Sequence, residues 1–469
     1  MKTLYNYLAQ AFFFRSRSTA TIFIIILFGS TSVFSQCWES ITAGGRTVHA
    51  ILLDGTLWGW GQNSGHLGIG FTPAISFTST AVQIGTDADW LAVSDGDTHA
   101  MALKTDGTLW CWGDNNYGAV GDGTAIWRWE PVQIGSDNDW QSISAGSDLS
   151  IALKTDGTMW TWGGNNYGQL GNNSNITKYS PTQIGTFATW VIVQTGGANC
   201  GAIKSDGTLW VWGGNRFGQV GDGTLDDKLV PTQIGTENNW QYLKIGFNHC
   251  AAQKTDSSLW LWGGNSSGQL GTVSSIVPTE LVSDSSWSSI ALGYFYTLAV
   301  KSNGTLWSWG YNASAQLGLG NMTETHFPTQ IGTATNWQSV ETAIASSFAL
   351  TTDDTLYSWG YNYYGELGNG MSGNFYSTPV NVNCSALSVP EKVVDRLTVF
   401  PNPTNDVVYF RNLENTLFNI QVLDSRGREI LQSNSTNSVD ISRLSSGIYF
   451  LKIVQPETFQ TITRKIIKQ

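Results

Sequence analysis

One stretch recurs along this chain, and its recurrence restricts the fold more than any other feature. It reads most plainly at Thr155-Asp156-Gly157-Thr158-Met159-Trp160-Thr161-Trp162-Gly163-Gly164-Asn165. The Asp-Gly pair lies between two apolar, alternating runs, the pattern of a tight hairpin, and predicts a two-residue type I′ turn. After the turn Met159 and Thr161 point to one face of a strand, Trp160 and Trp162 to the other. The residue between the two tryptophans is Gly59, Cys111, Thr161, Val211, Leu261, Ser308 and Ser358 in successive copies. None is charged, so both faces of this strand are expected to be buried.

Each copy opens on a tryptophan: Trp38, Trp90, Trp140, Trp190, Trp240, Trp287 and Trp337. A Gly-containing turn, a small-residue strand such as Ala152-Leu153, the hairpin and the Trp-x-Trp strand follow. A second Gly-rich turn (Asn166-Tyr167-Gly168-Gln169-Leu170-Gly171) leads through a variable loop to a short closing strand, Pro181-Thr182-Gln183-Ile184. Four short strands in a period near 50, seven times over, predict an all-β, seven-bladed β-propeller, with an open β-solenoid as the rival. Of the 22 tryptophans, all but Trp127 and Trp129 fall on three template positions, where they are read as wedges between blades. Ala102, Ala152, Ala202 and Ala252 are read as lying on a strand near a crowded axis. In a closed ring the first and last units must be neighbours.

The amino terminus is basic at Lys2, Arg15 and Arg17, apolar from Ile22 to Phe28, then small and polar to Ser35. It reads as a secretory signal peptide over 1–35, the apolar run being too short to span a bilayer. Cys37 suggests a lipoprotein, but Gln36 stands where a small residue belongs. No later stretch is apolar enough to cross a membrane, so the mature chain is read as lacking a transmembrane segment. Residues 36–385 carry 11 Lys and Arg against 27 Asp and Glu, a balance of −16. An acidic body without a basic patch argues against nucleic acid as a partner.

The motifs Trp-x-x-Ile-x-x-Gly, Ala-Leu-Lys-x-Asp-Gly-x-Leu-Trp-x-Trp-Gly-x-Asn-x-x-Gly-Gln-Leu-Gly and Pro-x-Gln-Ile resemble the regulator-of-chromosome-condensation repeat, carried whole in 140–185. The resemblance covers 38–383 and implies the seven-bladed propeller. It carries no mechanism across, because a fold of this kind hosts unrelated functions. The family's founding member is a guanine-nucleotide exchange factor, and bacterial relatives include secreted binding proteins. A histidine common in the family precedes the small-residue strand. Here that column reads Thr47, His99, Leu149, Asn199, His249, Tyr296 and Ser346, so a ring of histidines is not supported.

After Cys384 the character changes. Residues 386–396 read as a linker and 397–469 as a small β-sandwich. Pro401-Asn402-Pro403-Thr404, Asp424-x-x-Gly427-Arg428, Leu444-x-x-Gly447-Ile448-Tyr449 and the basic end with Lys465 and Lys468 resemble the C-terminal sorting domain of type IX secretion cargo. That resemblance implies the type IX machinery as a partner. It further implies transit through the periplasm of a Gram-negative bacterium, and release or display at the outer-membrane surface.

No catalytic, metal or cofactor constellation is apparent. The histidines lack metal spacing, and nucleophile-elbow and phosphate-loop motifs are missing. Gly121-Asp122-Gly123-Thr124 and Gly221-Asp222-Gly223-Thr224 lack the alternating acidic ligands of a Ca²⁺ loop and read as turns. The loops before the closing strands depart from the template and carry Trp127, Arg128 and Trp129, Phe71 and Phe77, Tyr179, Phe327, and Phe375 with Tyr376. Aromatic residues with an arginine are enriched at binding hot spots, so these are the candidate binding residues, toward an extracellular protein or glycan. A polysaccharide hydrolase or lyase with a site at the propeller mouth is the alternative, and a nucleotide-exchange role by analogy a distant third. Cys37 and Cys384 bracket the repeats and are a candidate disulfide in an oxidising compartment. Cys200 and Cys250 stand on adjacent units, too far apart to bridge, and Cys111 is expected to be a buried thiol.

Overall fold

The computed structural model describes residues 38–71, 75–186, 188–281 and 286–382, and in the C-terminal part 398–400, 404, 406–411, 418–424, 428–435, 438–454 and 461–468. The signal segment, the linker, Cys37, Cys384, Pro401 to Pro403 and Gly427 lie outside these residues. Two compact units divide the chain, at Asn383 and Cys384.

The first unit is a seven-bladed β-propeller. Each blade is a four-stranded antiparallel sheet whose strands follow one another in the chain. Blade two is representative, with Trp90–Asp95, His99–Lys104, Leu109–Gly113 and Arg128–Gln133 from the axis outward. The first strands line the axis, as the cavity walls show. This refines the expectation for Ala102, Ala152, Ala202 and Ala252, whose strands are next to the axial ones. They sit on the second strands, fully buried against the preceding blade, Ala102 with Ile51 and Leu57 and Ala152 with Met101 and Leu103.

The hairpin is also tighter in logic than a type I′ turn. In blade two, Gly107 N–H bonds the carbonyl oxygen of Lys104 at 2.9 Å, and Lys104 N–H bonds that of Thr108 at 3.1 Å. Thr105-Asp106-Gly107 is therefore a three-residue loop with Gly107 alone in the left-handed region, φ 83°. Asp106 has a different task. Its Oδ1 accepts from Thr108 N–H (3.0 Å) and Oγ1–H (2.7 Å), and Thr108 Oγ1 accepts from Trp110 Nε1–H at 3.0 Å. The same Asp-to-Thr-to-Trp relay recurs at Asp54, Asp156 and Asp206, with Ser258 serving Asp256. Those hydrogen bonds hold the Asp106 carboxyl below its usual range.

Blade packing rests on the tryptophans. Trp60, Trp112, Trp162, Trp212, Trp262, Trp309 and Trp359 are completely buried. Each donates its indole N–H to a carbonyl oxygen of the preceding blade, Trp162 to Ala119 at 2.9 Å and Trp212 to Gln169 at 2.9 Å. A buried indole N–H needs such a partner. The blade-opening tryptophan meets the first tryptophan of Trp-x-Trp edge-on, with Trp140 and Trp160 5.9 Å apart. Lys154 lies over both rings at 4.9 and 5.0 Å and pairs with Asp137 at 2.6 Å and Asp139 at 3.0 Å. Equivalent lysines are Lys104, Lys204, Lys254 and Lys301. Leu52 and Thr351 replace them in blades one and seven.

The ring is closed. Trp60 of blade one donates to Glu366 of blade seven, and Gly370 N–H to the carbonyl oxygen of Ser79, both at 2.8 Å. Cys111, Cys200 and Cys250 are buried, unbridged thiols, and burial pushes the last two up to about 12.

The second unit has a three-stranded sheet (Thr398–Phe400, Val407–Arg411, Ser438–Asp440) and a four-stranded one (Glu429–Ser435, Phe418–Leu423, Gly447–Val454, Thr461–Lys468). Val408, Ile420, Val422, Val439, Leu451, Ile453 and Ile466 form the core between them.

Candidate functional site

The turns between first and second strands, and the loops between third and fourth, emerge at the same end of the ring. Backbone bonds from Gly164 N–H to Asp148 and from Gly214 N–H to Ala198 tie them together. At this end the axis opens into a cavity of about 280 Å³, ringed by residues 44–45, 96–97, 146–147, 196–197, 246–247, 293–294 and 343–344 of the seven blades.

The polar groups of the mouth largely satisfy one another. Tyr294 Oη–H of blade six donates to Asp97 Oδ2 of blade two at 2.6 Å, and Ser147 Oγ–H bonds the same oxygen. Burial, with Asp97 beside it, pushes the Tyr294 phenol well above its ordinary range. Deeper, Lys244 and Glu341 pair at 3.3 Å between blades five and seven, and Glu341 holds the ammonium strongly protonated. Asp148 is raised by burial and by Asp114 and Asp97. Phe247 stacks on Tyr294 at 4.1 Å.

The candidate binding residues lie on the outer rim of the same end, spread around the ring rather than gathered. Phe71, Phe327 and Phe375 are 64%, 68% and 50% exposed, and Phe77 and Tyr179 are exposed too. Tyr376, Trp127, Arg128 and Trp129 are half-buried. Phe71, Trp127 and Trp129 form one cluster, with Trp129 4.8 Å from Phe71 and 5.9 Å from Trp127. This cluster covers Gly65, where the first blade's turn is one residue short; a Cβ there would meet both indoles.

Trp129 has counterparts in other blades. Tyr179, Leu229, Ile276 and His326 press on Gly118, Gly168, Gly218 and Gly268 of the preceding blade. Gly70 N–H bonds the carbonyl of Trp129 as Gly123 N–H bonds that of Tyr179. The position is a latch between blades, which accounts for the partial burial of Trp129. Arg128 is held by Asp122, as Lys228 is held by Asp222 at 2.8 Å. The Asp-Gly-Thr turns thus spend their carboxylates on neighbouring cations.

Sequence reasoning passed over a second set of aromatics. Tyr117, Tyr167 and Phe217 sit in the Gly-rich turns, which read as purely structural, yet they are 50%, 50% and 48% exposed. Their signal was available: that column holds Ser64, Ser267 and Ser314 in other units. A packing requirement shared by every blade would not alternate between a ring and a serine.

In the second unit Arg428 is tied to Asp424, backbone N–H to Oδ1 at 3.0 Å and Nε to Oδ2 at 2.9 Å. Tyr449 Oη–H donates to the Ser445 carbonyl at 2.8 Å, just before the strand that Gly447 begins. Lys468 is buried, 3.7 Å from Asp406. Lys465 lies on the final strand, Thr461–Lys468.

Comparison with known proteins gives matches in both units. The regulator of chromosome condensation (RCC1) repeat matches at 106–153, 156–203, 206–253 and 303–350, and a second model of that repeat at 92–119, 140–169 and 287–316. The four units of the first model begin at the hairpin and end in the next blade's second strand, so each straddles two blades, whereas those of the second model lie within one blade. The secretion system C-terminal sorting domain matches 398–469. Among curated proteins, the human probable E3 ubiquitin-protein ligase HERC6 is 34% identical over 86 residues, 18% of this chain and 8% of that protein. The zebrafish (Danio rerio) protein RCC2 homolog is 30% identical over 86 residues, 18% of this chain and 17% of that one. This chain therefore spans a small part of the curated relatives it matches. Among solved structures, human WBSCR16 superposes with TM-score 0.62 at 22% identity, covering 70% of this chain and 93% of that one. Yeast RCC1 (Prp20), solved bound to Kap60, gives 0.64 at 19%, covering 82% and 94%. At such identities the likeness speaks for the fold. This chain is a propeller of seven four-stranded blades that carries RCC1 repeats, followed by a secretion-system C-terminal sorting domain that indicates export.

Proposed function

We propose that the propeller is an extracellular binding module, displayed or released by the type IX route of a Gram-negative bacterium, and that the end of the ring bearing its variable loops is the binding face. The observation that carries this reading is the exposure of Phe71, Phe327 and Phe375 on loops that differ from blade to blade. Large apolar side chains held in water on variable loops are a cost to solubility, and binding offsets it. The tryptophans, by contrast, are used within and between blades. At the mouth Lys244 is paired with Glu341 and Asp97 accepts from Tyr294 and Ser147, which leaves Asp148 as a lone raised carboxyl without an acid–base partner and favours recognition over catalysis.

The test is capture of extracellular protein and glycan by the exported full chain, compared with a Phe71→Ala/Phe327→Ala/Phe375→Ala variant. Retention lost in the variant, at an unchanged melting temperature, supports the reading. Turnover of a polysaccharide with no retained partner would replace it with the hydrolase or lyase alternative.

A further inference from the structure

Many of the other aromatics of this end are paired with one another. Phe247, Tyr294, Phe295 and Tyr311 form one chain of ring contacts, and Tyr361, Tyr363, Tyr364 and Phe375 another. Tyr117, Tyr167 and Phe217 are in no ring pair among the described residues, and, unlike the isolated Tyr179 and Phe327, they form a regular series. They occupy equivalent positions on three consecutive blades, two, three and four.

Each sits on a rigid turn. Asn115 is buried beneath Tyr117, its Oδ1 accepting Val120 N–H at 3.0 Å and its Nδ2 donating to the Thr124 carbonyl at 2.9 Å. Asn165 and Asn215 do the same under Tyr167 and Phe217. Gln169 and Gln219 further accept the backbone N–H of Tyr167 and Phe217, at 2.9 and 2.8 Å. A ring held this way loses little freedom on binding.

Beside Tyr117 and Tyr167 lies a residue without a side chain. A Cβ added at Gly164 would stand 3.7 Å from the Cβ of Tyr117 and 3.4 Å from that of Asp148, ordinary contact. Gly164 has no left-handed φ either, so neither backbone nor packing demands glycine there. Gly214 stands likewise 3.6 Å from the Cβ of Tyr167. In units six and seven the glycine gives way to tyrosine, at Tyr311 and Tyr361, where the preceding turns carry Ser267 and Ser314. Flanking the rings are the exposed polar residues Asn116, Asn166 and Arg216.

Resting on the binding-module reading, we propose that the arc Tyr117–Tyr167–Phe217 is a three-step stacking surface for a neutral polysaccharide chain. An aromatic face is electron-rich, and the C–H bonds on one side of a pyranose ring pack on it, while the sugar hydroxyls reach Asn116, Asn166 and Arg216. Three equivalent steps suit a ligand that itself repeats, and simultaneous engagement multiplies weak contacts. Bases could stack on the same faces, but their phosphates would be repelled by a propeller of balance −16. Acidic glycans are disfavoured for the same reason.

The test uses the exported full chain in affinity electrophoresis and calorimetry against mixed-linkage β-glucan, xylan and mannan, with alginate as the acidic control. At least one neutral polymer should retard the protein, its oligosaccharides binding more tightly with length until three steps are spanned. Tyr117→Ala, Tyr167→Ala and Phe217→Ala should each weaken binding roughly tenfold or more, with unchanged melting temperature. Gly164→Leu, which has room for its Cβ, should do likewise by covering the shelf beside Tyr117. Retardation by alginate alone, or by none of the four, overturns the proposal. So does unchanged binding in all four variants, or a lost fold with binding per folded molecule intact. Capture of a protein partner that needs these rings would overturn the glycan assignment while leaving the binding module standing.

Discussion

Trp60 of the first blade donates its indole N–H to the backbone carbonyl oxygen of Glu366 in the seventh, at 2.8 Å. The same bond joins every other neighbouring pair of blades, yet here it joins the two ends of the repeat array. Each blade is made of four consecutive strands, so no sheet is shared between the ends. Closure is carried by this bond, by Gly370 N–H to Ser79, and by Arg46 over the rings of Tyr361 and Tyr364 at 5.9 and 5.1 Å.

Trp60→Ala should therefore act on closure and not on one blade alone. A fully buried tryptophan cut to alanine costs about 3–5 kcal/mol. A split thermal transition, with early proteolysis near the seam, is the expected reading from calorimetry and limited digestion. A single transition shifted no more than for Trp162→Ala would show that the seam is an ordinary interface.

Glu366 itself stands in a column that holds Gln169, Gln219, Gln269 and Gln316 in other blades. Its Oε2 accepts Tyr364 N–H at 2.8 Å, and its Oε1 is buried without a hydrogen-bond partner. Burial raises the carboxyl from 4.5 to about 7. With the folded value above the unfolded one, its stabilisation is complete below pH 4.5 and is lost as pH rises through 7. Glu366→Gln should raise the melting temperature at pH 8, corresponding to about 2–4 kcal/mol, and change little at pH 4. An equal effect at both pH values would contradict this.

Asp95 behaves in the opposite sense. Its carboxyl is fully buried in the contact between blades one and two, 2.6 Å from His49 Nδ1 and 3.4 Å from His66 Nε2. Burial raises it, but the two histidines outweigh that and hold it below its ordinary value of 3.8. Its contribution is present above the unfolded value and fades as pH falls through the folded one. Asp95→Asn should cost about 3 kcal/mol near pH 7, with a smaller difference from the parent protein near pH 3. A constant difference across that range would be evidence against the pairing.

Trp129 and Phe71 touch, but their burial differs. Trp129→Ala removes a blade latch and should lower the melting temperature by a few degrees. Phe71→Ala should leave it unchanged and cost affinity for the extracellular partner on the order of 2 kcal/mol. Reversed outcomes would exchange their roles.

Stopping the chain after Ser385 removes the sorting domain. The propeller is expected to accumulate in the periplasm, detected by fractionation and immunoblotting. Surface display of the shortened chain would refute the sorting role proposed for the tail.

Much of this protein is local information. A type I turn closed by a left-handed glycine, an aspartate that positions a tryptophan through a threonine, and strands of alternating burial are all decided within a dozen residues. Repetition at a fixed period multiplies that local code into seven blades, which is why the architecture was readable from sequence, and why the sorting motifs were too. Turn geometry was less so: Asp-Gly fits both a two-residue and a three-residue loop, and the register of His99–Lys104 against Leu109–Gly113 selects the second. What only the tertiary structure decided is which residues meet across blades. Trp129 became a latch because Gly65 lies under it, the Glu366 carboxyl is raised to about 7 because the seam buries it, and Ala102 faces a neighbouring blade rather than the axis. The exposure of Tyr117, Tyr167 and Phe217 belongs to the same class. Tyr117 and Tyr167 lie beside Gly164 and Gly214 of the next blade, and sequence periodicity alone does not say that two such positions touch.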